Sequence, residues 1–190
     1  MGQKILKTEA LTTYKWLNLF RRTYINSKGK EVEWIFASRK KDPSESSIDV
    51  VVIIPTIDTP EGRKIVLVKE YRPSIDGYLY AFPAGLVEGK SIKETTEEEL
   101  KQETGLEIDI YLGESGLVYA SPGLTDESNI MVFVRAKGEL SQKYQEDIED
   151  IEPVALSIGE VEELLMDRAN VIGAKAWGIL LAFVRQGEFD

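Results

Sequence analysis

Residues 84–106 read AGLVEGKSIKETTEEELKQETGL, and the rest of the chain is interpreted from this stretch. Ser91 and Glu94 have the S-x-x-E spacing of a capping box, so we expect a helix to begin at Ser91. Gly105 stands where a helix C-terminus favours a residue that can adopt a left-handed conformation. The stretch therefore predicts a glycine turn, a short acidic helix and a glycine stop.

The predicted helix places two carboxylates on one face. Glu99 and Glu103 are four residues apart, so they lie one above the other, while Ile92, Thr96 and Leu100 form the stripe expected to be buried. Stacked carboxylates repel each other unless a positive charge lies between them. A hard divalent cation such as Mg²⁺ prefers oxygen ligands and suits this position. A solvated acidic face is the alternative interpretation.

The composition limits the chemistry that the chain can perform. Its 190 residues, 43% hydrophobic and 29% charged, are ordinary for one globular domain with a substantial core. The absence of cysteine and histidine excludes disulfides, thiolate or histidine metal sites and Ser-His-Asp triads. Acid–base work must therefore be done by Glu, Asp, Lys or Tyr.

Charge and hydropathy bear on the partners and the location. A net charge of −10 argues against nucleic acid as a partner, but not against a small phosphate ligand, because a bound metal can offset the local charge. No segment approaches the roughly 20 apolar residues that span a membrane. Residues 1–10 lack the apolar core of a signal peptide. We therefore expect no membrane association and a cytoplasmic location.

The N-terminal part of the chain reads as antiparallel strands. A strand over residues 15–25, a turn at 27–30 and a returning strand over 31–38 predict a hairpin within residues 4–40. Its large aromatic side chains pack in a core or an interface, or one of them stacks on a planar base. They are Trp16, Phe20, Trp34 and Phe36.

Strands and helices alternate through the remainder. The pattern predicts strands near residues 48–55, 64–71, 78–82, 106–118, 129–137 and 153–156, and helices over 157–168 and 174–185. On the last helix, Trp177, Leu180, Leu181 and Val184 are expected to share one face. The polar residues 40–47 suggest a boundary between an N-terminal β region, residues 1–47, and a main body, residues 48–190. The fold class is α+β, a sandwich with helices on both sides.

Residues 85–106 resemble the Nudix box, G-x5-E-x7-R-E-U-x-E-E-x-G-U with U apolar. The segments EYRP at 70–73, PAGLV at 83–87, SPGLTDE at 121–127 and EDIE at 146–149 are similar to the ADP-ribose pyrophosphatase branch of that family. The resemblance covers about residues 15–185. It implies a Nudix-type α/β/α sandwich with a mixed sheet, preceded by an N-terminal antiparallel hairpin that is exchanged across a homodimer.

The chain departs from the box at three positions. The interval from Gly85 to Lys90 is one residue short, and Lys90 stands where the box has its first Glu. Glu98 replaces the box Arg, and Gln102 replaces the first Glu of the pair. We expect Glu98 to add repulsion, and we expect fewer or more weakly bound metal ions than a complete box holds.

The resemblance also implies which residues hold the metal and move the proton. The Ala84 carbonyl, Glu99 and Glu103 match the positions that bind Mg²⁺ or Mn²⁺, with Glu99 also counted among the catalytic residues. Asp147 matches the catalytic base, with Glu146 and Glu149 as rivals. A solvated acidic loop is the alternative interpretation of this run.

Three further residues are implied in substrate binding. Trp34 is placed to stack on adenine, and Arg72 to approach the phosphates with its guanidinium fork. An ion pair with Glu70 or a box Glu is the alternative for Arg72. Glu127, in the 121–127 loop, is either a ligand of the substrate or an ordinary loop carboxylate.

The activity implied is metal-dependent hydrolysis of the diphosphate bond in a nucleoside diphosphate linked to another group. ADP-ribose, cleaved to AMP and ribose 5-phosphate, is the expected substrate. A nucleotide sugar such as GDP-mannose is the first alternative. A non-hydrolytic nucleotide-binding protein of the same fold is the second, motivated by the incomplete box.

Overall fold

The computed structural model describes residues 4–148 and 150–186. These residues form two compact units, one from the described residues up to Asp49 with Leu117–Asn129, and one from Val50–Gly116 with the described residues from Ile130 onward. In chain order the elements are β1 (Lys4–Ala10), β2 (Asn18–Ile25), β3 (Glu31–Ser38), β4 (Val50–Thr59), β5 (Gly62–Arg72), β6 (Gly77–Ala81), β7 (Ala84–Leu86), α1 (Ile92–Thr104), β8 (Glu107–Glu114), β9 (Val118–Tyr119), β10 (Ser128–Lys137), β11 (Ile151–Leu156), α2 (Ile158–Met166) and α3 (Ala174–Gln186).

The first unit is built on an antiparallel sheet in the order β1-β2-β3. The predicted hairpin is confirmed, since β2 and β3 pair along their whole length. Phe20 lies opposite Phe36, and both rings are buried with their centroids 5.9 Å apart. Trp16 and Trp34 are instead exposed. Only the two phenylalanines of the four predicted aromatics contribute to the core of this unit.

A buried charge network fixes the segment that follows β3 in the first unit. The Asp49 carboxylate accepts hydrogen bonds from the Ser128 amide at 2.8 Å and the Ser128 hydroxyl at 2.9 Å. The Lys40 ammonium lies 3.1 Å from the same carboxylate, and both side chains are more than nine-tenths buried. Because removing one member of a buried ion pair leaves a charge without compensation, this network holds both ends of the polar segment 40–49.

The second unit contains a sheet in the order β11-β5-β4-β10-β8, with β6 beside β5 and β7 beside β4. Side chains alternate between the two faces of a strand, and β4 and β5 are buried on both. The apolar run at residues 48–55 predicted such a strand. One face packs against α2 and α3 through Val50, Val52, Ile54, Ile65, Leu67, Val161, Leu164, Leu180 and Phe183. The α+β sandwich is confirmed.

The helix α1 has the predicted ends. Its N-cap is Ser91, whose hydroxyl accepts from the Glu94 amide while the Glu94 carboxylate accepts from the Ser91 amide. It ends at Gly105, which is left-handed with φ of 79°. Thr96 and Leu100 are buried as expected, whereas Ile92 is only partly buried. The helix contacts β7, β4, β8 and β11, so its acidic face lies beside the turn that precedes it.

The buried face of α3 differs from the predicted one. Its buried residues are Ala176, Leu180 and Phe183, at spacings of four and three, while Trp177 is 48% exposed. The predicted face was wrong by one position, because the prediction placed Trp177, which has the largest side chain of the helix, in the core. Within residues 4–148 and 150–186, no helix is both long enough and apolar enough to cross a membrane.

Candidate active site

The acidic helix and the glycine turn meet at the two predicted carboxylates. The Ala84 amide donates a hydrogen bond to Glu103 Oε2 at 3.3 Å, and Glu103 is only 6% exposed. A Cβ placed on Gly85 would lie 2.0 Å from both Cδ and Oε1 of Glu99. The Glu99 carboxylate therefore rests directly on the Gly85 main chain, in space that any side chain at this position would fill.

The donor set around this turn suits a hard divalent cation. Carboxylate and carbonyl oxygens are the ligands that Mg²⁺ and Mn²⁺ prefer. Glu99, Glu103 and the residue that carries the predicted carbonyl ligand, Ala84, come together here. In the part of the chain that the structure describes, no group of three or more acidic side chains is arranged to hold a metal. The residues present fit a metal ion, and their role as ligands stays a prediction.

The expected repulsion at Glu98 is wrong. The Lys90 ammonium donates a hydrogen bond to the Glu98 carboxylate, and this contact raises the pKa of Lys90. The box pattern has Glu and Arg at the same two positions, eight residues apart, so the two charges are exchanged here, and in this chain they form an ion pair. The pair joins the loop after Gly85 to α1. The sequence already indicated this pair, because Lys90 and Glu98 have opposite charges at the same spacing as the Glu and Arg of the pattern.

The acidic segment with the predicted base lies between β10 and β11. Glu146 and Asp147 are exposed, and Glu149 lies outside the described residues. The end of the segment is attached to the sheet, because the Asp150 carbonyl accepts from the Tyr71 amide at 3.2 Å. The Asp150 carboxylate accepts from the Tyr78 hydroxyl, and this hydrogen bond raises the pKa of Tyr78. These two hydrogen bonds attach the segment to the sheet at a residue that lies close in the chain to the candidate bases.

Arg72 forms the ion pair that was its alternative interpretation. Its guanidinium lies 2.8 Å from the Glu70 carboxylate, and about half of the Arg72 side chain is exposed. Glu70 is largely buried, so the pair holds the Arg72 guanidinium beside the end of β5. A role toward phosphates stays a prediction.

The first unit contains a cavity of about 710 Å³ beside its sheet. Trp34, which is 49% exposed, contributes an aromatic face to its wall. Arg22 lies opposite Trp34 in the hairpin register, and its guanidinium stands 4.8 Å from the Phe36 ring centroid. The cavity is also lined by Ile5, Tyr24, Lys40, Pro43, Ser44, Glu45, Ser46, Tyr119, Pro122, Thr125 and Asp126.

Sequence reasoning selected Trp34 but missed Arg22, Tyr24 and Lys40. The hairpin register could have predicted Arg22 and Tyr24. They lie opposite Trp34 and Val32, so their side chains share one face of the sheet with Trp34. Glu127, the other predicted ligand in this unit, accepts a hydrogen bond from Arg39 Nε at 3.1 Å. This ion pair agrees with the ordinary interpretation of Glu127, and its role as a ligand stays a prediction.

Comparison with known proteins identifies a family across most of the chain. The family model described as NUDIX domain matches residues 47–175. The chain is 29% identical over 170 residues to a protein named "Putative nudix hydrolase 2" from Caenorhabditis elegans, covering 89% of this chain and 74% of that protein.

Two relatives carry names that state a substrate. The chain is 33% identical over 143 residues to the "ADP-ribose pyrophosphatase" of Saccharomyces cerevisiae, covering 73% of this chain and 61% of that protein. It is 31% identical over 145 residues to the "ADP-sugar pyrophosphatase" of Mus musculus, covering 73% and 64%. In both cases the chain spans less than two thirds of the relative's length.

A solved structure supports the fold. The chain matches a protein described as "Crystal structure of ADP compounds hydrolase" with a TM-score of 0.68, covering 98% of this chain and 96% of that one. The two sequences are 16% identical, so this likeness shows the fold alone.

We predict that Gly85→Ala weakens metal binding without unfolding the protein. The new methyl group displaces the Glu99 carboxylate, which is the movable end of a long side chain. We expect Mn²⁺ affinity, measured by titration calorimetry, to fall by about 10- to 100-fold. Gly116→Ala is the control, because a Cβ there meets nothing within 4 Å. Equal Mn²⁺ affinity in the wild type and Gly85→Ala would contradict this account.

We predict that Lys90 and Glu98 behave as a charge-exchanged pair. Glu98→Arg alone opposes two cations and lowers the melting temperature, and Lys90→Glu alone opposes two anions and does the same. The double variant restores most of the loss in each single variant. Glu97→Arg is the comparison variant, since it opposes two cations across the longer 3.9 Å contact between Glu97 and Lys93 on the same helix. Additive losses in the double variant would show that the two residues are not coupled.

Proposed function

Because the chain belongs to the Nudix family, we propose that it hydrolyses the diphosphate bond of a nucleoside diphosphate linked to another group. ADP-ribose is the proposed substrate, giving AMP and ribose 5-phosphate. The observation that carries the proposal is the meeting of Glu99 and Glu103 at the main chain of Ala84 and Gly85. The names of the yeast and mouse relatives support an ADP-linked substrate.

The chain's own residues divide the work at the diphosphate. Glu99, Glu103 and the Ala84 carbonyl would hold Mg²⁺ or Mn²⁺. When bound, such an ion neutralises phosphate oxygens and acidifies a coordinated water. Asp147 would accept the proton of the attacking water, with Glu146 and Glu149 as rivals. Both described candidates are exposed, so solvent can take the proton away from them after the reaction.

The aromatic cavity of the first unit is the proposed nucleobase site. Trp34 offers a face for stacking, and Arg22 brings positive charge to a wall that also carries Glu45 and Asp126. Stacking tolerates any base, because every base has a π-face. The cavity therefore supports adenine and guanine alike, and GDP-mannose remains the rival substrate. Arg72 and Glu127 are the further proposed contacts to the substrate.

Residues 1–47, which supply Trp34 to the proposed nucleobase site, have a second proposed task. Residues 48–190 form the catalytic domain, and residues 1–47 mediate a homodimer. The exposed apolar side chains of the first unit support this assignment, since clustered exposed apolar residues mark interaction surfaces. They include Leu6, Leu11, Trp16, Leu17, Leu19 and Ile35.

A ligand-binding protein that does not hydrolyse its ligand is the second candidate. The replacement of the box residues by Lys90, Glu98 and Gln102 favours it. The ion pair between Lys90 and Glu98 weakens that argument, because the two exchanged residues attract each other in this chain. Gln102 is then the one departure that removes a carboxylate without compensation in the sequence.

An assay with a panel of diphosphates tests the proposal. With Mg²⁺ present, we expect the wild type to release AMP from ADP-ribose faster than GMP from GDP-mannose, as measured by chromatography. Glu103→Gln should lower the rate by about 100-fold, because the metal loses a charged ligand. Glu97→Gln, an exposed change on the same helix, should leave the rate unaltered. Binding without turnover of any substrate would favour the non-hydrolytic alternative.

We predict that Trp34→Leu acts on substrate binding. Loss of the stacking face should raise KM for ADP-ribose by about tenfold and change kcat little. The same variant should weaken AMP binding in calorimetry, because AMP keeps the base but has no diphosphate bond. Trp177→Leu is the matched control, since Trp177 is equally exposed but lies on α3. An unchanged AMP affinity in Trp34→Leu would place the base elsewhere.

A further inference from the structure

The C-terminal end of α1 is closed by the acidic segment that follows β10. The last carbonyls of a helix have no partner within the helix and need one outside it. The Ser141 amide donates to the Thr104 carbonyl at 2.9 Å. The Gln145 side-chain amide donates to the Glu103 carbonyl at 3.3 Å. The helix that carries both proposed metal ligands is therefore capped by the segment that carries the proposed base.

Close packing at Gly105 makes this contact possible. A Cβ at Gly105 would lie 2.7 Å from Ser141 Cβ and 2.8 Å from the Ser141 nitrogen. Gly105 also has a φ of 79°, which favours glycine. The glycine thus ends the helix and lets the start of the segment lie against it.

Gln145 links the helix to the sheet as well. Its Nε2 donates a second hydrogen bond, to the Ile151 carbonyl at 2.9 Å. A primary amide carries two hydrogens, so both bonds can form together. Ile151 is the first residue of β11 and pairs with Glu70 of β5. One side chain therefore connects the end of α1, the start of β11 and the segment between them.

We propose that Gln145 is the positioning residue that fixes the catalytic base relative to the metal ligands, an inference that rests on the proposed function. Gln145 directly precedes Glu146 and lies two residues before Asp147. Its acceptor is the main-chain carbonyl of Glu103, whose own carboxylate is a proposed ligand. Because Gln145 is adjacent to them in the chain, its two hydrogen bonds restrict where the main chain of Glu146 and Asp147 lies. Displacing a reacting group by about 1 Å can cost about 100-fold in rate.

A neighbouring glutamine provides a matched control. Gln142 Nε2 donates to the same Ile151 carbonyl at 2.6 Å, and its hydrogen bond is to β11 rather than to α1. Neither glutamine takes part in the contact between Ser141 and Thr104. The Lys101 ammonium also lies 4.6 Å from the Tyr144 ring centroid, so the segment has other attachments to the helix. Both variants should therefore fold.

The test compares Gln145→Leu with Gln142→Leu. We expect Gln145→Leu to lower kcat for ADP-ribose by about tenfold or more, with KM and Mn²⁺ affinity within about twofold of wild type. Gln142→Leu should change kcat by less than about twofold. Equal losses in the two variants, or an unchanged kcat in Gln145→Leu, would overturn the proposal.

A second measurement separates this inference from the proposed function. Amide hydrogen exchange of residues 141–148 should be faster in Gln145→Leu than in wild type or Gln142→Leu. If the wild type turns over no diphosphate, the proposed function fails while the exchange experiment still decides whether Gln145 anchors the segment. Unchanged exchange in Gln145→Leu would reject the anchoring role whatever the activity.

Discussion

The close approach of α1 to the turn at Ala84 and Gly85 is the constraint on which the site depends. It requires a glycine, because the Glu99 carboxylate occupies the position of a Cβ. It also requires a fixed helix. The capping box at Ser91 and the left-handed Gly105 set the two ends, and pairing of β7 with β4 fixes the turn. The largely buried Glu103 carboxylate accepts a hydrogen bond from the Ala84 amide, which ties the helix to the turn.

Much of the fold and of the candidate site could be predicted from the sequence, because interactions between residues close together in the chain determine these features. The capping boxes at Ser91 and Ser157 mark where α1 and α2 begin, because a side chain meets a backbone amide three residues away. The apolar run at 48–55 predicted a strand buried on both faces. The paired carboxylates followed from the helical period. Each of these inferences spans fewer than a dozen residues.

The features that were predicted wrongly or missed are ones that local sequence patterns do not determine. Whether Trp177 is buried depends on which side of α3 packs against the sheet. The helical period alone defines that side only to within about one residue. The cavity beside Trp34 depends on strand register, which brings Arg22 to its side. The hydrogen bond from Gln145 to Glu103 joins residues 42 positions apart, and no local pattern reports such a contact.

A residue-by-residue comparison of this chain with the Nudix box also gave an incomplete account of the box. Lys90 and Glu98 both mismatch it, yet together they form an ion pair whose signs are the reverse of those in the pattern. An ion pair depends on opposite signs at a given separation, so it survives when both signs are exchanged. Gln102 is different, since an amide carries no charge with which to hold a cation. The box should therefore be judged by its interactions, and on that basis the chain has lost one carboxylate rather than three matching residues.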